Sequence, residues 1–130
     1  MNDTNVVVLK GRLTKGAELK QTTNGHYLAT FSIAVNETFK NAKGEHSTRA
    51  NYFDCTLFGN FSKTIHQYLT KGREVCITGR LRQDKWTSSD GKTTYSKVDV
   101  IIKELELMRT PSDKALPEQE PQEQEEIPQF

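Results

Sequence analysis

The fold is decided by residues 51–82, NYFDCTLFGNFSKTIHQYLTKGREVCITGRLR, in which two strand patterns enclose one helix pattern. Apolar and polar residues alternate through residues 51–58, which predicts a strand. The period then changes, because Phe61, Ile65 and Leu69 recur every four positions, as in the apolar stripe of a short helix. Alternation resumes from Val75 to Leu81. These 32 residues therefore predict a strand, a helix and a strand.

Three further strand patterns flank this unit. Residues 6–13 begin with four apolar residues, residues 27–35 alternate after the Asn24-Gly25 turn, and residues 98–102 follow the Asp90-Gly91 turn. The resulting order, β-β-β-α-β-β, indicates an all-β chain with one short helix between its third and fourth strands. That is the order of the five-stranded OB barrel, which binds oligonucleotides across one face. A generic small β-barrel with an unrelated connection is the alternative.

Charge is divided unevenly along the chain, although the 130 residues sum to only +1. Residues 1–110 hold 17 of the 18 Lys and Arg and 11 of the 17 acidic residues, a balance of +6. Residues 111–130 hold one Lys and six acidic residues, a balance of −5. We expect one basic domain over residues 1–110 and an acidic tail over residues 111–130.

The tail is rich in Pro, Gln and Glu and has few apolar residues, so we expect it to be disordered. Its tip is different, because Ile127 and Phe130 follow Glu125-Glu126. Two apolar side chains on an acidic tether suit a shallow apolar pocket ringed by Lys or Arg on another protein. An inert, solubilising tail is the alternative.

The sequence predicts a cytoplasmic protein. No run of about 18 apolar residues is present, and the first residues do not form a signal peptide, so we expect no membrane span. Cys55 and Cys76 stand far apart without a Cys-x-x-Cys pattern, which favours reduced thiols.

Alternation also predicts which side chains point away from the core. On the third strand Phe53, Cys55 and Leu57 are the more uniformly apolar set, which directs Tyr52 and Phe58 outward. On the fourth strand we expect the inward set to be Val75, Ile77 and Leu81. The outward set is then Arg80, Arg82 and, if the alternation persists, Trp86.

Flat rings beside guanidinium groups are typical of a surface that binds unpaired nucleotides. Bases stack on aromatic rings with little sequence preference, and Arg and Lys pair with phosphates. Burial of Tyr52, Phe58 and Trp86 against a second subunit is the alternative. Phe39 continues the inward alternation from Val35, so it faces outward only if its strand curls or bulges near residues 36–37. Tyr95 we expect to pack at the rim, as for Tyr27 and Tyr68.

The sequence lacks the patterns of catalytic and metal sites. His26, His46 and His66 do not have the spacing of a metal site, and no phosphate loop or nucleophile elbow is present. Asp54 and Asp84 would be the carboxylates of a Mg²⁺-dependent nuclease on the same barrel, but basic and aromatic neighbours favour a role in charge balance. We therefore expect no enzyme activity, no catalytic residue, no metal and no cofactor.

Over about residues 5–107 the chain resembles the bacterial single-stranded DNA-binding protein (SSB) family, with the tail as a second match. The resemblance rests on the order and spacing of several stretches: 5–13 (NVVVLKGRL), 24–25 (NG), 31–35 (FSIAV), 57–59 (LFG), 68–72 (YLTKG), 75–82 (VCITGRLR) and 85–86 (KW). It implies an OB fold, a homotetramer built as a dimer of dimers, and wrapping of single strands in replication, recombination and repair. A primosomal OB-fold interaction module is the alternative function, though such proteins generally lack an acidic tail with an apolar tip.

The resemblance also implies roles for particular residues. The DNA-stacking rings of the family fall on Phe39, Tyr52, Phe58 and Trp86. The DNA-contacting basic positions that match are Lys20, Lys40, Lys71, Arg82 and Lys85, to which alternation adds Arg80. The tip that docks on replication and repair proteins falls on Glu125, Glu126, Ile127, Pro128, Gln129 and Phe130. The departures from the family pattern include Asp54, Asn60 and Asp84 at positions that are often basic, Phe53 in place of a His, and Gln129 before the terminal Phe.

Overall fold

The computed structural model describes residues 3–108, which form six strands and one short helix. The elements are β1 (Val7–Leu13), β2 (Glu18–Gln21), β3 (Tyr27–Lys40), β4 (His46–Phe58), α1 (Phe61–Ile65), β5 (Glu74–Thr87) and β6 (Thr94–Leu107). A 3₁₀ turn, His66–Tyr68, continues α1. The predicted boundary at residue 110 and the acidic tail over residues 111–130 lie outside the described residues.

The strands form one sheet in the order β1-β5-β6-β4-β3-β2, and a further pairing of β1 with β3 closes it into a barrel. The neighbours β4 and β6 run parallel, and the other pairs are antiparallel. Because the sheet closes on itself, few backbone N–H and C=O groups at strand edges are left unpaired. The predicted five-stranded OB barrel, with its helix between the third and fourth long strands, is confirmed.

The strand that the sequence pattern did not include, β2, pairs with β3. Because the end of β1 also pairs with β3, β2 continues the path of β1 along that strand. Leu13 pairs with Ile33, and Glu18 pairs with Thr30. Four residues therefore separate β1 from β2 where only two separate their partners on β3, and the ladder is interrupted there. The amide of Thr14 still donates to the carbonyl of Ser32 at 3.0 Å. The sequence did not predict β2, because its four residues, ELKQ, carry only one apolar side chain.

The core lies inside the barrel and is covered at one end by the helix. Of the predicted helix over residues 60–69, only residues 61–65 are α-helical, and the 3₁₀ turn brings Leu69 into the core beside Ile65. No helix among residues 3–108 is long and apolar enough to cross a membrane. The core side chains are those of Leu13, Phe31, Ile33, Cys55, Leu57, Ile65, Leu69, Val75, Ile77, Val100, Ile102, Leu105 and Leu107.

Two glycines permit close contacts between strands, Gly11 where β1 meets β3 at the closure of the barrel and Gly79 in the β5–β6 ladder. A Cβ at Gly11 would lie 2.6 Å from the carbonyl oxygen of Ala34, and one at Gly79 would overlap the carbonyl oxygen of Ile101. The register of the β5–β6 ladder also shifts between Thr78 and Gly79, as expected of a bulge. Backbone therefore packs on backbone at both positions, where only glycine fits.

The prediction that Leu81 lies in the core is wrong. Leu81 keeps the inward alternation of Val75 and Ile77, but its side chain is 43% exposed. The reason is the length of β5, whose 14 residues extend past the end of the barrel. The β6 residues that pair just beyond Gly79 are still buried, namely Asp99, Val100 and Ile101. From Gln83 and Val98 to the turn, however, both sides of the β5–β6 ribbon are accessible to solvent.

Candidate nucleic-acid interface

One continuous surface runs across β3, β4, β6 and β5 on the side away from the core. Strand registers place successive rows of side chains next to each other on this surface, since Ser32 pairs with Asp54, Thr56 with Ile101, and Arg82 with Asp99. We call it the outer face and define it by Thr30, Ser32, Ala34, Tyr52, Asp54, Thr56, Phe58, Arg80, Arg82, Asp84, Trp86, Tyr95, Lys97, Asp99 and Ile101.

The predicted orientation of the rings on β4 and β5 is confirmed. Tyr52 is 68% exposed and Trp86 is 49% exposed, whereas Phe58 is half-buried. Their strand neighbours on the opposite side, such as Cys55, Leu57 and Ile77, are buried in the core. Three large rings are thus held on the outer face by the same alternation that builds the core.

A fourth ring, Tyr95, belongs to the outer face, contrary to its expected place in rim packing. It stacks on Trp86 with ring centroids 5.8 Å apart and 22° between the ring planes. The two residues pair directly in the β5–β6 ladder. The Asp90-Gly91 turn could have predicted this pair from the sequence. A hairpin whose two turn residues are Asp90 and Gly91 places Trp86 opposite Tyr95.

Ion pairs occupy the centre of the outer face. Ser32 Oγ donates a short hydrogen bond to Asp54 Oδ1, and Lys97 Nζ lies 2.9 Å from Asp54 Oδ2. The bond from Ser32 and then the Lys97 ammonium hold the pKa of the Asp54 carboxyl below its ordinary value. Asp54 in turn raises the pKa of Lys97. This carboxylate and this ammonium therefore both remain charged at neutral pH.

A second group of ion pairs surrounds Arg82. Its Nη2 and Nε donate to the two carboxylate oxygens of Asp99 at 2.9 and 3.3 Å, and its Nε lies 3.6 Å from Asp84 Oδ2. Two-point contact of this kind fixes the guanidinium plane. Asp99 is buried, so the pair lies low on the face. Counted over the defined residues, the outer face holds three carboxylates and three cations, and its net charge is zero.

Buried side chains form the floor of the outer face and continue beside it to Leu28 on β3. Leu28, Thr56 and Ile101 are 6%, 7% and 3% exposed, although their strand positions direct them away from the core. Leu28 pairs with Phe58 on one side and Lys20 on the other, which places Lys20 at the β2 edge of the same surface. A shallow apolar floor with rings above it suits flat apolar ligands such as nucleobases.

The other predicted basic residues are placed at different distances from this surface. Arg80 is half-buried on the outer face, and Lys40 lies on the same side as Tyr52 at the end of the β3–β4 hairpin. Lys85 lies on the opposite side of the β5–β6 ribbon from Trp86, because neighbouring strand residues point to opposite sides. Lys71 lies in the turn before β5, at the other end of that strand from Trp86.

Phe39 is not brought together with the other three predicted rings. The β3–β4 ladder runs without a register shift from Leu28 to Lys40, so Phe39 stays on the opposite side of the hairpin from Tyr52. The guanidinium carbon of Arg49 lies 5.0 Å from the centroid of the Phe39 ring. The curl or bulge that would have turned this ring toward Tyr52 is not present.

Comparison with known proteins gives the family of the chain. Residues 4–108 match the sequence model of the single-strand binding protein family. The chain belongs to this family. A single-stranded DNA-binding protein of Treponema pallidum is 41% identical over 108 residues, which are 83% of this chain and 60% of that protein. One of Borreliella burgdorferi is 34% identical over 113 residues, 87% of this chain and 75% of that protein. The match with the first of these thus spans less than two thirds of its length.

Solved structures of the SSB family share the fold. A Plasmodium falciparum SSB in complex with ssDNA superposes with a TM-score of 0.74 at 26% identity, covering 84% of this chain and 100% of that one. A deletion mutant of the single-stranded DNA-binding protein from Thermus aquaticus gives a TM-score of 0.73 at 23% identity and covers 83% and 52%. The tip residues 125–130 lie outside the described residues, so these superpositions do not bear on them.

Proposed function

We propose that this SSB-family chain binds single-stranded DNA with little sequence preference and that the outer face is where the strand lies. The observation that carries the proposal is the Trp86–Tyr95 stack, which is exposed and shares one face with Tyr52 and Phe58. Family membership and the fold shared with an SSB–ssDNA complex support it.

Physical chemistry explains why exposed rings favour this ligand. Each exposed ring leaves apolar area in water at about 25 cal/mol per Å² until a partner covers it. An unpaired base is a flat partner, and stacking contributes about 1–3 kcal/mol per base whatever its identity. Duplex DNA has its bases stacked internally, so the face discriminates in favour of single strands.

Phosphate contacts would come from cations around the rings. Arg80 and Lys40 make no ion pair within residues 3–108 and lie on the same side as the rings, so they are the foremost candidates. Lys20 and Arg82 are also on this side, but each is already paired with an acid. Lys71, Lys85 and Phe39 lie elsewhere on the barrel, and they contact DNA only if the strand wraps beyond the outer face.

We extend the proposal to the assembly and the tail on the family pattern. The chain forms a homotetramer, a dimer of dimers, and the tip of the acidic tail docks on replication, recombination and repair proteins. Its role is to coat and protect single strands without catalysis, in the cytoplasm at the nucleoid. Exposed Val6, Val8 and Val98 are apolar surface that subunit contacts would cover.

A fluorescence titration tests DNA binding directly. Trp86 is the only tryptophan of the chain, so its emission reports on the outer face alone. We expect oligo-dT to quench Trp86 at low salt and oligo-dC to do so with similar affinity, whereas duplex DNA of the same length should compete poorly. Unchanged emission together with no shift of oligo-dT in a gel would refute the proposal.

A further inference from the structure

The outer face contains a feature that opposes its proposed ligand. Among its defining residues the three cations, Arg80, Arg82 and Lys97, are matched by three carboxylates, so the centre of the face has no net positive charge to attract a polyanion. The Lys97 ammonium is the clearest case, because it lies half-exposed beside the equally half-exposed Asp54, where a phosphate could reach it.

Asp54 is held in place independently of Lys97. Ser32 Oγ donates to its Oδ1, while Lys97 approaches the other oxygen, Oδ2, at 2.9 Å. Ser32 pairs with Asp54 across the β3–β4 ladder, and Lys97 reaches from β6 on the other side. The carboxylate is thus anchored from one strand and presented to an ammonium on another.

We propose that Asp54 is a tethered competitor of DNA phosphate for the Lys97 ammonium and so limits the affinity of this chain for single strands. The inference rests on the proposed function. A phosphate that approaches Lys97 must displace a fixed carboxylate or share the ammonium with it, and either outcome leaves two anions close together. Lys97 then adds little to the phosphate contacts that set the salt dependence of binding.

The consequence is that stacking, more than charge, holds the strand at the centre of the face. A strand laid over Tyr52 and Trp86 would place bases near the Asp54–Lys97 pair, and its phosphates would be drawn to cations that have no carboxylate beside them. Lys97 therefore contributes less to the salt dependence of binding than a cation without a carboxylate beside it would.

The test compares charge variants by titration with oligo-dT of about 16 nucleotides between about 50 and 200 mM salt. Asp54→Asn should raise the affinity about five- to tenfold at the lowest salt and steepen the slope of log K against log salt by about 0.7, the value for one added phosphate contact on a single strand. Glu104→Gln is the matched control, since Glu104 is exposed on β6 and makes no ion pair in the described part of the chain. It removes the same charge and should change the affinity less than twofold.

The double variant Asp54→Asn with Lys97→Gln should return the slope to that of the parent protein. Lys97→Gln alone should leave the slope unchanged, and it serves as the test if Asp54→Asn does not fold. An Asp54→Asn slope no steeper than that of Glu104→Gln, a steeper slope that survives loss of Lys97, or a lower slope in Lys97→Gln alone would each overturn the inference. Failure of the parent protein to bind oligo-dT would instead refute the proposed function.

Discussion

Trp86 and Tyr95 stack on each other across the β5–β6 ribbon, at 5.8 Å between centroids and 22° between planes. The pair lies beyond the end of the barrel, where the ribbon has left the core and both rings remain about half exposed. Each ring restricts the rotation of the other by stacking, which keeps a flat surface available for a base. The strand ladder, rather than the core, therefore orders this part of the site.

The stack leads to a prediction for Tyr95. Replacing Tyr95 by Ala should weaken oligo-dT binding by about 1–3 kcal/mol, because one stacking surface is lost and Trp86 is freed to rotate. Tyr95→Phe is the matched control and should bind within a factor of two or three of the parent protein. Fluorescence titration measures both, and equal affinities for Tyr95→Ala and the parent protein would exclude Tyr95 from the site.

Phe39 and Tyr52 should respond differently to the length of the bound strand. Because the two rings lie on opposite sides of the β3–β4 hairpin, a strand of about 8 nucleotides on the outer face can stack on Tyr52 without reaching Phe39. Tyr52→Ala should weaken binding of both short and long oligo-dT. Phe39→Ala should weaken binding of long strands only. The prediction is wrong if Phe39→Ala lowers the affinity for the short strand as much as Tyr52→Ala does. The short strand would then contact both sides of the hairpin.

Alternation predicted the side of each strand residue but not how far the core extends. It placed Tyr52 and Phe58 correctly, because the opposite side of β4 is uniformly apolar next to the core. It failed at Leu81, because a strand keeps its alternation after it leaves the barrel. The end of the barrel depends on strand tilt and closure, and the local pattern does not contain them.

The sequence also could not predict contacts between strands that are distant along the chain. In the sequence Asp54 stands between the apolar residues Phe53 and Cys55, with no Lys or Arg nearby, whereas in the fold it lies between Ser32 and Lys97 on two flanking strands. The parallel β4–β6 pairing that makes this contact is specified by no turn. The Trp86–Tyr95 pair was easier to predict from the sequence, since one hairpin turn determines the register of its two strands.

The acidic tail should compete with DNA for the basic domain. Deleting residues 111–130 removes a net charge of −5 and leaves +6, so oligo-dT binding should tighten at low salt. The gain should shrink above about 0.15 M salt, where the Debye length is about 8 Å. A full-length variant with five tail acids changed to Gln (Glu118, Glu120, Glu123, Glu125 and Glu126) should reproduce the gain. Unchanged affinity in both proteins would contradict the prediction.

The pairing of β5 with β6 should depend on Gly79. An alanine there would place its Cβ on the carbonyl oxygen of Ile101, a backbone atom that moves only if the β5–β6 ladder opens. We expect Gly79→Ala to lower the free energy of unfolding by about 1–3 kcal/mol in denaturant titrations. At Gly16, where the nearest atom to a Cβ is the Leu69 carbonyl oxygen at 3.9 Å, alanine should change it by less than about 0.5 kcal/mol. Similar values for both variants would show that the ladder absorbs the methyl group.

The Cys55 thiol should make the fold less stable in alkali. Burial, followed by the negative charges of Asp54 and Asp99, raises the pKa of Cys55 from 9.0 to about 12. Between these values the unfolded chain loses the thiol proton and the native chain keeps it, so the free energy of unfolding falls as the pH rises, by up to about 1.4 kcal/mol per pH unit from this group.

The variant Cys55→Ala isolates this contribution from every other effect of alkaline pH on the fold. It should start less stable than the parent protein at pH 7, because the core loses a buried sulfur, and the difference should narrow steadily above pH 9. Denaturant titrations at several pH values measure that difference directly. Parallel curves from pH 7 to 11 would mean that Cys55 ionises equally readily in the native and unfolded states, and that the barrel interior around it admits water.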